Sequence, residues 1–286
     1  MITNPGDAKS VLYLSEKRTM FIGRLEPVLT QASAASTLIL SLDKTLQIFD
    51  HSNKRVYESR SFLIPAGSKV TISTNDSLLA LCFLDALGKD LAILRCKMEN
   101  EIRISDRLCV YSQLKNESDI IAAAFHIYEF ISPAEFAFSR LSQWIGEPTR
   151  DCEYHYDPRV EKAVEFIKSS ILENTPVEQI ARKLNLSVPR LSQIFKQVTG
   201  VPIRRFRLWH RIFITAVKMA WGMSLTEASV SSGFSDSAHF SRVFKEIAGV
   251  KPSKVLNARS DTLILMLPPK CKIQSRSPVP EYEKET

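Results

Sequence analysis

The chain has 286 residues, with 38 Lys and Arg against 31 Asp and Glu, a formal charge of +7 at pH 7. That length suits two domains, each large enough to bury its own core. Five cysteines (Cys82, Cys96, Cys109, Cys152, Cys271) are scattered without C-x-x-C spacing, which argues against a disulfide frame or a cysteine zinc site and for reduced thiols. Residues 1–10 are polar, so no secretory leader is expected. The longest apolar stretch, 78–87, contains Asp85 and is too short to span a bilayer. A soluble, cytoplasmic protein with no membrane partner is the expectation.

The first half reads as mostly strand to about Ile104. Residues 36–40 and 45–49 look like paired strands around Leu42, Asp43 and Lys44. Residues 56–62 lead into Leu63-Ile64-Pro65-Ala66-Gly67, 69–73 alternate, and 78–84 form an apolar strand. Short, evenly spaced strands with Pro-Ala-Gly at a turn suggest a small barrel or a sandwich. His51 is the sole histidine before His126, so a clustered His/Glu ligand set is missing. No metal, cofactor or catalysis is inferred. Residues 118–131, with Ile121, Ala124, Phe125 and Tyr128, and 133–145, with Phe136, Phe138, Leu141 and Ile145, then read as two helices. A linker follows over 146–156. His126 and His155 fit ordinary packed or exposed positions, or a pH-sensitive or ligand-contacting role.

A repeat occupies the next segment. Residues 177–198 run VEQIARKLNLSVPRLSQIFKQV and 225–247 run LTEASVSSGFSDSAHFSRVFKEI. Each predicts a short helix, a tight turn and a second helix ending in Phe-Lys. The second helices place Leu191, Ile194, Phe195, Val198 and Phe240, Val243, Phe244, Ile247 at i, i+3, i+4, i+7, one buried stripe each. Asn185 and Gly233 sit at the turns, where positive φ is needed. Thr175-x-x-Glu178 and Ser224-x-x-Glu227 are capping-box signatures, one residue out of register between copies. Opposite the stripes lie Pro189, Gln193 and Lys196, flanked by Arg190, Ser192 and Gln197, and Ala238, Arg242 and Lys245, flanked by His239, Ser241 and Glu246; Ser237 joins the candidate DNA contacts. In the DNA major groove Arg can bridge guanine O6 and N7, and Gln adenine N6 and N7. Lys and Ser more often hold phosphates. Gln193 and Arg242 are therefore the candidates for base contact, against the alternative of a solvated polar face.

Charge is uneven. Residues 158–258 hold 16 Lys and Arg against 7 Asp and Glu, a net +9, while 1–157 hold 17 against 20, a net −3. A basic third beside a mildly acidic half suits a polyanion partner such as double-stranded DNA. A solvated basic surface explains the charge equally well but not the duplication.

Residues from about 158 to 256 resemble the DNA-binding domain of the AraC/XylS family of bacterial transcription regulators. The resemblance rests on Val177-x-x-Ile180-Ala181, Leu191-Ser192-x-x-Phe195-Lys196, Gly200, Arg207-Leu208, Gly233-Phe234-Ser235, His239-Phe240-Ser241-Arg242-x-Phe244-Lys245 and Gly249-x-x-Pro252. Ala228-Ser229 and Trp209-His210 depart from the family pattern. The family implies an α+β protein of two domains. These are a cupin-like sensor/dimerisation domain (1–147, a small β-barrel with a helical pair) and a linker (148–157). An all-α domain of seven helices with two helix-turn-helix units (158–258) and a partly disordered tail (259–286) complete the chain. Within it, Asp157-Pro158 would cap a first helix, Pro202 would open a long helix to about Trp221, and a short helix would close near 251–258. Two reading helices on one face of DNA sit about 10 bp apart.

The resemblance implies a non-enzymatic regulator, more often an activator presenting a surface to RNA polymerase, with a possible small-molecule effector and a possible homodimer. The helical pair of 118–145 would form the dimer contact or pack on its own barrel. Two alternatives stay open: control by protein partners, or a cupin enzyme fused to DNA-binding helices. The apolar run 263–267 is expected to dock, with disorder from about 270.

Overall fold

A computed structural model describes residues 9–50, 54–105, 108–149, 152, 154, 157–256 and 262–268. His51, His155, Cys271 and the tail beyond 268 lie outside these. The strands are β1 (Ser10–Leu14), β2 (Thr19–Arg24), β3 (Val28–Ala32), β4 (Thr37–Ser41), β5 (Leu46–Asp50), β6 (Arg55–Ser59), β7 (Ser61–Ile64), β8 (Lys69–Ser73) and β9 (Leu78–Phe83). Helix α1 (Lys89–Arg95) interrupts them before β10 (Met98–Ser105) and β11 (Leu108–Leu114). Two helices, α2 (Glu117–Glu129) and α3 (Ala134–Ile145), end the N-terminal unit. The C-terminal unit comprises α4 (Pro158–Ser169), α5 (Val177–Lys183), α6 (Val188–Thr199), α7 (Ile203–Ala220), α8 (Leu225–Ser231), α9 (Ser237–Ala248) and α10 (Pro252–Val255), and is followed by β12 (Thr262–Met266).

The strands form two sheets, ordered β10-β11-β7-β4-β9-β2-β1-β12 and β3-β8-β5-β6. This is a sandwich; the expected closed barrel is not formed, because no ladder joins the sheets among the described residues. The large sheet is covered on both faces, which is why β1, β4 and β9 read as unbroken apolar runs. Alternate residues Tyr13, Ile22, Leu38, Leu63 and Cys82 lie under α1, α2 and α3. The intervening residues Leu12, Phe21, Ile39, Phe62 and Leu81 face the small sheet and, further along, helices α7 and α9.

Several expectations need correction. The strands at 37–41 and 46–50 are not a hairpin: β4 pairs with β7 and β9, whereas β5 pairs with β6 and β8. The turn at Leu42–Lys44 carries the chain between sheets. Phe125 and Phe136 are 43% and 38% exposed, and Ile120, Ile127, Ala134 and Ala137 pack inward instead. The run after α10 does dock, but on the N-terminal unit: β12 pairs in parallel with β1. Among the described residues, Cys82, Cys96, Cys109 and Cys152 form no disulfide. No described helix is long and apolar enough to cross a membrane.

Candidate nucleic-acid interface

The first helix pair forms as its sequence dictates at the turn and second helix, but not at its start. Helix α5 begins after Pro176 without a side-chain cap, so the expected Thr175 capping box is absent. The Thr175 carbonyl instead accepts a hydrogen bond from Arg207. Asn185 takes φ +53, and the Leu186 N–H returns to the Ala181 carbonyl at 2.9 Å, closing α5. Ser187 caps α6, its hydroxyl accepting the Arg190 N–H. Leu191, Ile194 and Phe195 are buried among Val160, Val164 and Ile167 of α4, Ile180 of α5 and Phe206 of α7. Pro189, Arg190, Ser192, Gln193 and Lys196 all stand exposed on the other side. An Arg190 guanidinium N–H donates to Gln193 Oε1 at 2.9 Å, leaving Gln193 Nε2 as the end available to a partner.

The second pair keeps its capping box. Ser224 accepts the Glu227 N–H, and the Glu227 carboxylate accepts the Ser224 N–H. The buried Lys218 ammonium of α7 donates to the Ser231 carbonyl at 2.7 Å, placing a cation on the negative end of α8. Ala228 and Ser229, the pair departing from the family pattern, are both fully buried. Gly233 turns the chain with φ +91. Asp236 then caps α9, its carboxylate accepting the His239 N–H at 2.6 Å and the Ser235 hydroxyl at 3.0 Å. The backbone N–H of His239 and then the Ser235 hydroxyl hold the Asp236 carboxyl below the usual range. Phe240, Phe244 and Ile247 are buried.

Of the expected reading residues on α9, Arg242 and Lys245 are exposed, while Ser237, His239 and Ser241 are partly covered. The His239 ring meets Phe234 edge-on, and the Ser241 hydroxyl donates to the Ser237 carbonyl at 2.8 Å. Each unit thus presents one polar ridge, broad on α6 and narrow on α9.

A group of arginines lies on α7, of which only Arg207 stood out in the sequence. Arg205 pairs with Glu246 of α9 at 2.8 Å and donates to the Ala32 carbonyl of β3. Arg207 and Arg211 reach Thr175 and Asn174. The available signal was their density, four arginines within residues 204–211 of one amphipathic helix.

The two units also meet. Phe83 packs on Trp209 with ring centroids 5.0 Å apart. A cavity of about 450 Å³ opens between them, walled by Phe83 and Leu87 from one side and by Lys168, Phe206, His210 and Phe213 from the other. Trp209 and His210, the second departure from the family pattern, therefore line the contact between units.

A family profile described as "Helix-turn-helix domain" matches residues 180–258. The chain is 31% identical over 100 residues to the Arabinose operon regulatory protein of Escherichia coli, and 36% identical over 96 residues to the Msm operon regulatory protein of Streptococcus mutans. These matches span 34% of each relative and 34% and 33% of this chain, about a third of the length on both sides. The crystal structure of ToxT from Vibrio cholerae O395 shares the fold, with a TM-score of 0.52 at 15% identity, over 84% of this chain and 97% of that one. In its paired helix-turn-helix units the chain is similar, over about a third of its length, to regulators of the AraC type.

Proposed function

We propose that this protein is a sequence-specific DNA-binding transcription regulator that enters two adjacent major-groove segments with α6 and α9. The observation that carries the reading is the matched build of the two pairs: apolar stripe inward, polar and cationic ridge outward, on the basic part of the chain. In this reading Gln193 and Arg242 contact bases. Pro189, Arg190, Ser192, Lys196, Ser237, His239, Ser241 and Lys245 hold the backbone or shape the fit. The domain limits 1–147, 148–157, 158–258 and 259–286, a cytoplasmic location, an activating role beside RNA polymerase and a homodimer all belong to the same proposal, as does the absence of enzymatic activity.

An effector reading is favoured over control by protein partners by the cavity between the units. A ligand seated there touches both the sandwich and α7, so it can bias how the DNA-binding helices are held. ToxT is described in a crystal structure as bound to an unsaturated fatty acid. The mixed wall here, Lys168 beside Phe83, Phe206 and Phe213, suits a small molecule with an apolar body and a polar head.

The test begins with selection of a duplex from a random pool, followed by titration of two variants. Arg242→Ala should relax preference at one position, with discrimination falling by about 1–3 kcal/mol. Lys196→Ala should weaken all duplexes alike and lower the salt slope by about one unit. Wild-type binding to the selected duplex that neither substitution changes would refute the assignment of the reading faces.

A further inference from the structure

Helix α7 runs beside both helix pairs, and one of its side chains touches the lead-in to the first and the turn of the second. Arg211 donates from Nη2 to Asn174 Oδ1 at 3.2 Å. Asn174 lies just ahead of α5, in the lead-in to the first pair. The same guanidinium lies over Gly233 in the turn of the second pair: a Cβ added there would stand 3.0 Å from Nε and 3.1 Å from Cζ. The Arg211 Nε is buried without a hydrogen-bond partner, so the head is held by fit as much as by bonding. One turn earlier, Arg207 donates to the Thr175 carbonyl, gripping the lead-in segment a second time. A planar guanidinium lies flat against a turn that has no side chain, whereas a lysine ammonium is a compact point charge.

We propose that Arg211 is a positioning residue that fixes the separation and rotation of the two reading helices, and so sets which spacing between half-sites the protein accepts. The proposal rests on the reading that both pairs enter DNA. One added base pair shifts a half-site by about 3.4 Å and turns it by about 35°, from the repeat of 10–10.5 bp per turn. A rigidly coupled pair of helices cannot follow both changes; a loosened pair follows them in part. Since the contact is internal, loss of Arg211 should alter spacing preference without removing a phosphate contact.

The experiment uses full-length protein and three versions of its selected duplex: native, one base pair longer and one shorter between half-sites. Wild type should bind the altered spacings about tenfold or more weakly, the scale of a mismatched site. Arg211→Ala should narrow that ratio to about threefold or less, with an unchanged salt slope. Arg211→Lys, which keeps the charge, should behave like the alanine variant. Asn174→Gly removes the acceptor at a position with φ +50, where glycine is at home, so it keeps the fold and should narrow the ratio in the same direction. An Arg211→Ala or Asn174→Gly protein with the native melting temperature and the wild-type spacing ratio overturns the proposal. A lowered salt slope with the spacing ratio intact also overturns it, by making Arg211 a phosphate contact. Wild-type protein indifferent to spacing would refute the two-groove reading itself, before any variant is made.

Discussion

His210 lies between Phe206 and Phe213, its ring within 2° and 17° of parallel to them and its Nε2 without a partner. Burial, and then the nearby Lys168 charge, push its pKa down from 6.5 to about 3. The imidazole is therefore neutral in the folded chain over most of the pH range in which an unfolded histidine is protonated. Below pH 6.5 the unfolded state takes up a proton that the folded state refuses. Stability is intact above that point and falls as pH drops toward 3. At pH 5 the loss amounts to about 2 kcal/mol. His210→Phe suits the stack and removes the titration. Denaturant unfolding at pH 7 and pH 5 should show wild type losing about 2 kcal/mol more than this variant. Equal losses would mean that His210 is protonated in the fold, and that its seat at the wall of the cavity is wetter than its 4% exposure implies.

At the scale of elements, β12 has the most to explain. It follows the DNA-binding helices yet lies beside β1, with Ser10 opposite Thr262 and Leu14 opposite Met266. The Thr262 hydroxyl reaches the Ser10 hydroxyl at 2.7 Å and the Lys254 carbonyl at 3.5 Å, so the strand starts where the two units touch. Ile264 and Met266 join the core that includes Phe213 and Phe244, while Leu265 and Leu267 join the core under α2 and α3. Ending the chain after residue 261 should expose the β1 edge and remove several half-buried apolar side chains, a cost of about 3 kcal/mol. Amide exchange should quicken along β1 and hold steady in α6. Unchanged exchange in β1 would mean that β12 contributes no protection. That strand also marks the limit of what the chain discloses in advance. The stripes of α6 and α9, the Asn185 and Gly233 turns and the Ser224 cap were legible because each is set within a turn or two of sequence. The partners of β4 and β5 were not, since pairing is non-local and β4, buried on both faces, carries no alternation to orient it. Helix α1 escaped notice, being seven residues behind a left-handed Gly88. Thr175 looked like a cap, but Pro176 holds the N-cap position, and the seat of Arg211 on Gly233 is tertiary with no local signal.

The described residues of the two units pack against each other. The sandwich interior and the second helix pair share a single apolar core, running from Phe21, Leu81 and Phe83 to Phe213, Phe244 and Val255. Arg205 ties β3 to α9. The turn at Ala66 and Gly67 sits against Gly200, so closely that a Cβ on Gly67 would lie 2.8 Å from the Gly200 carbonyl oxygen. Both reading helices are thus braced by the sandwich, α6 at its C-terminal end and α9 along β3. Bracing of this kind would link a signal in the sandwich to the exposed ridges of α6 and α9 through packed side chains. It also predicts cooperative unfolding across the unit boundary. Trp144 reports on the sandwich side from α3; Trp209 and Trp221 report on the helical side. In the Trp209→Phe/Trp221→Phe double variant only Trp144 remains as probe, and in Trp144→Phe only the other two. Within each protein, the tryptophan signal and the far-ultraviolet dichroism of the whole chain should change together in denaturant. Adding Phe62→Ala, a truncation at a fully buried position of the sandwich costing about 3 kcal/mol, should lower the midpoint seen by Trp144 and the midpoint seen by Trp209 and Trp221 by similar amounts. If Phe62→Ala shifted the Trp144 midpoint alone, the two units would be independently stable neighbours, and the shared core would not couple them.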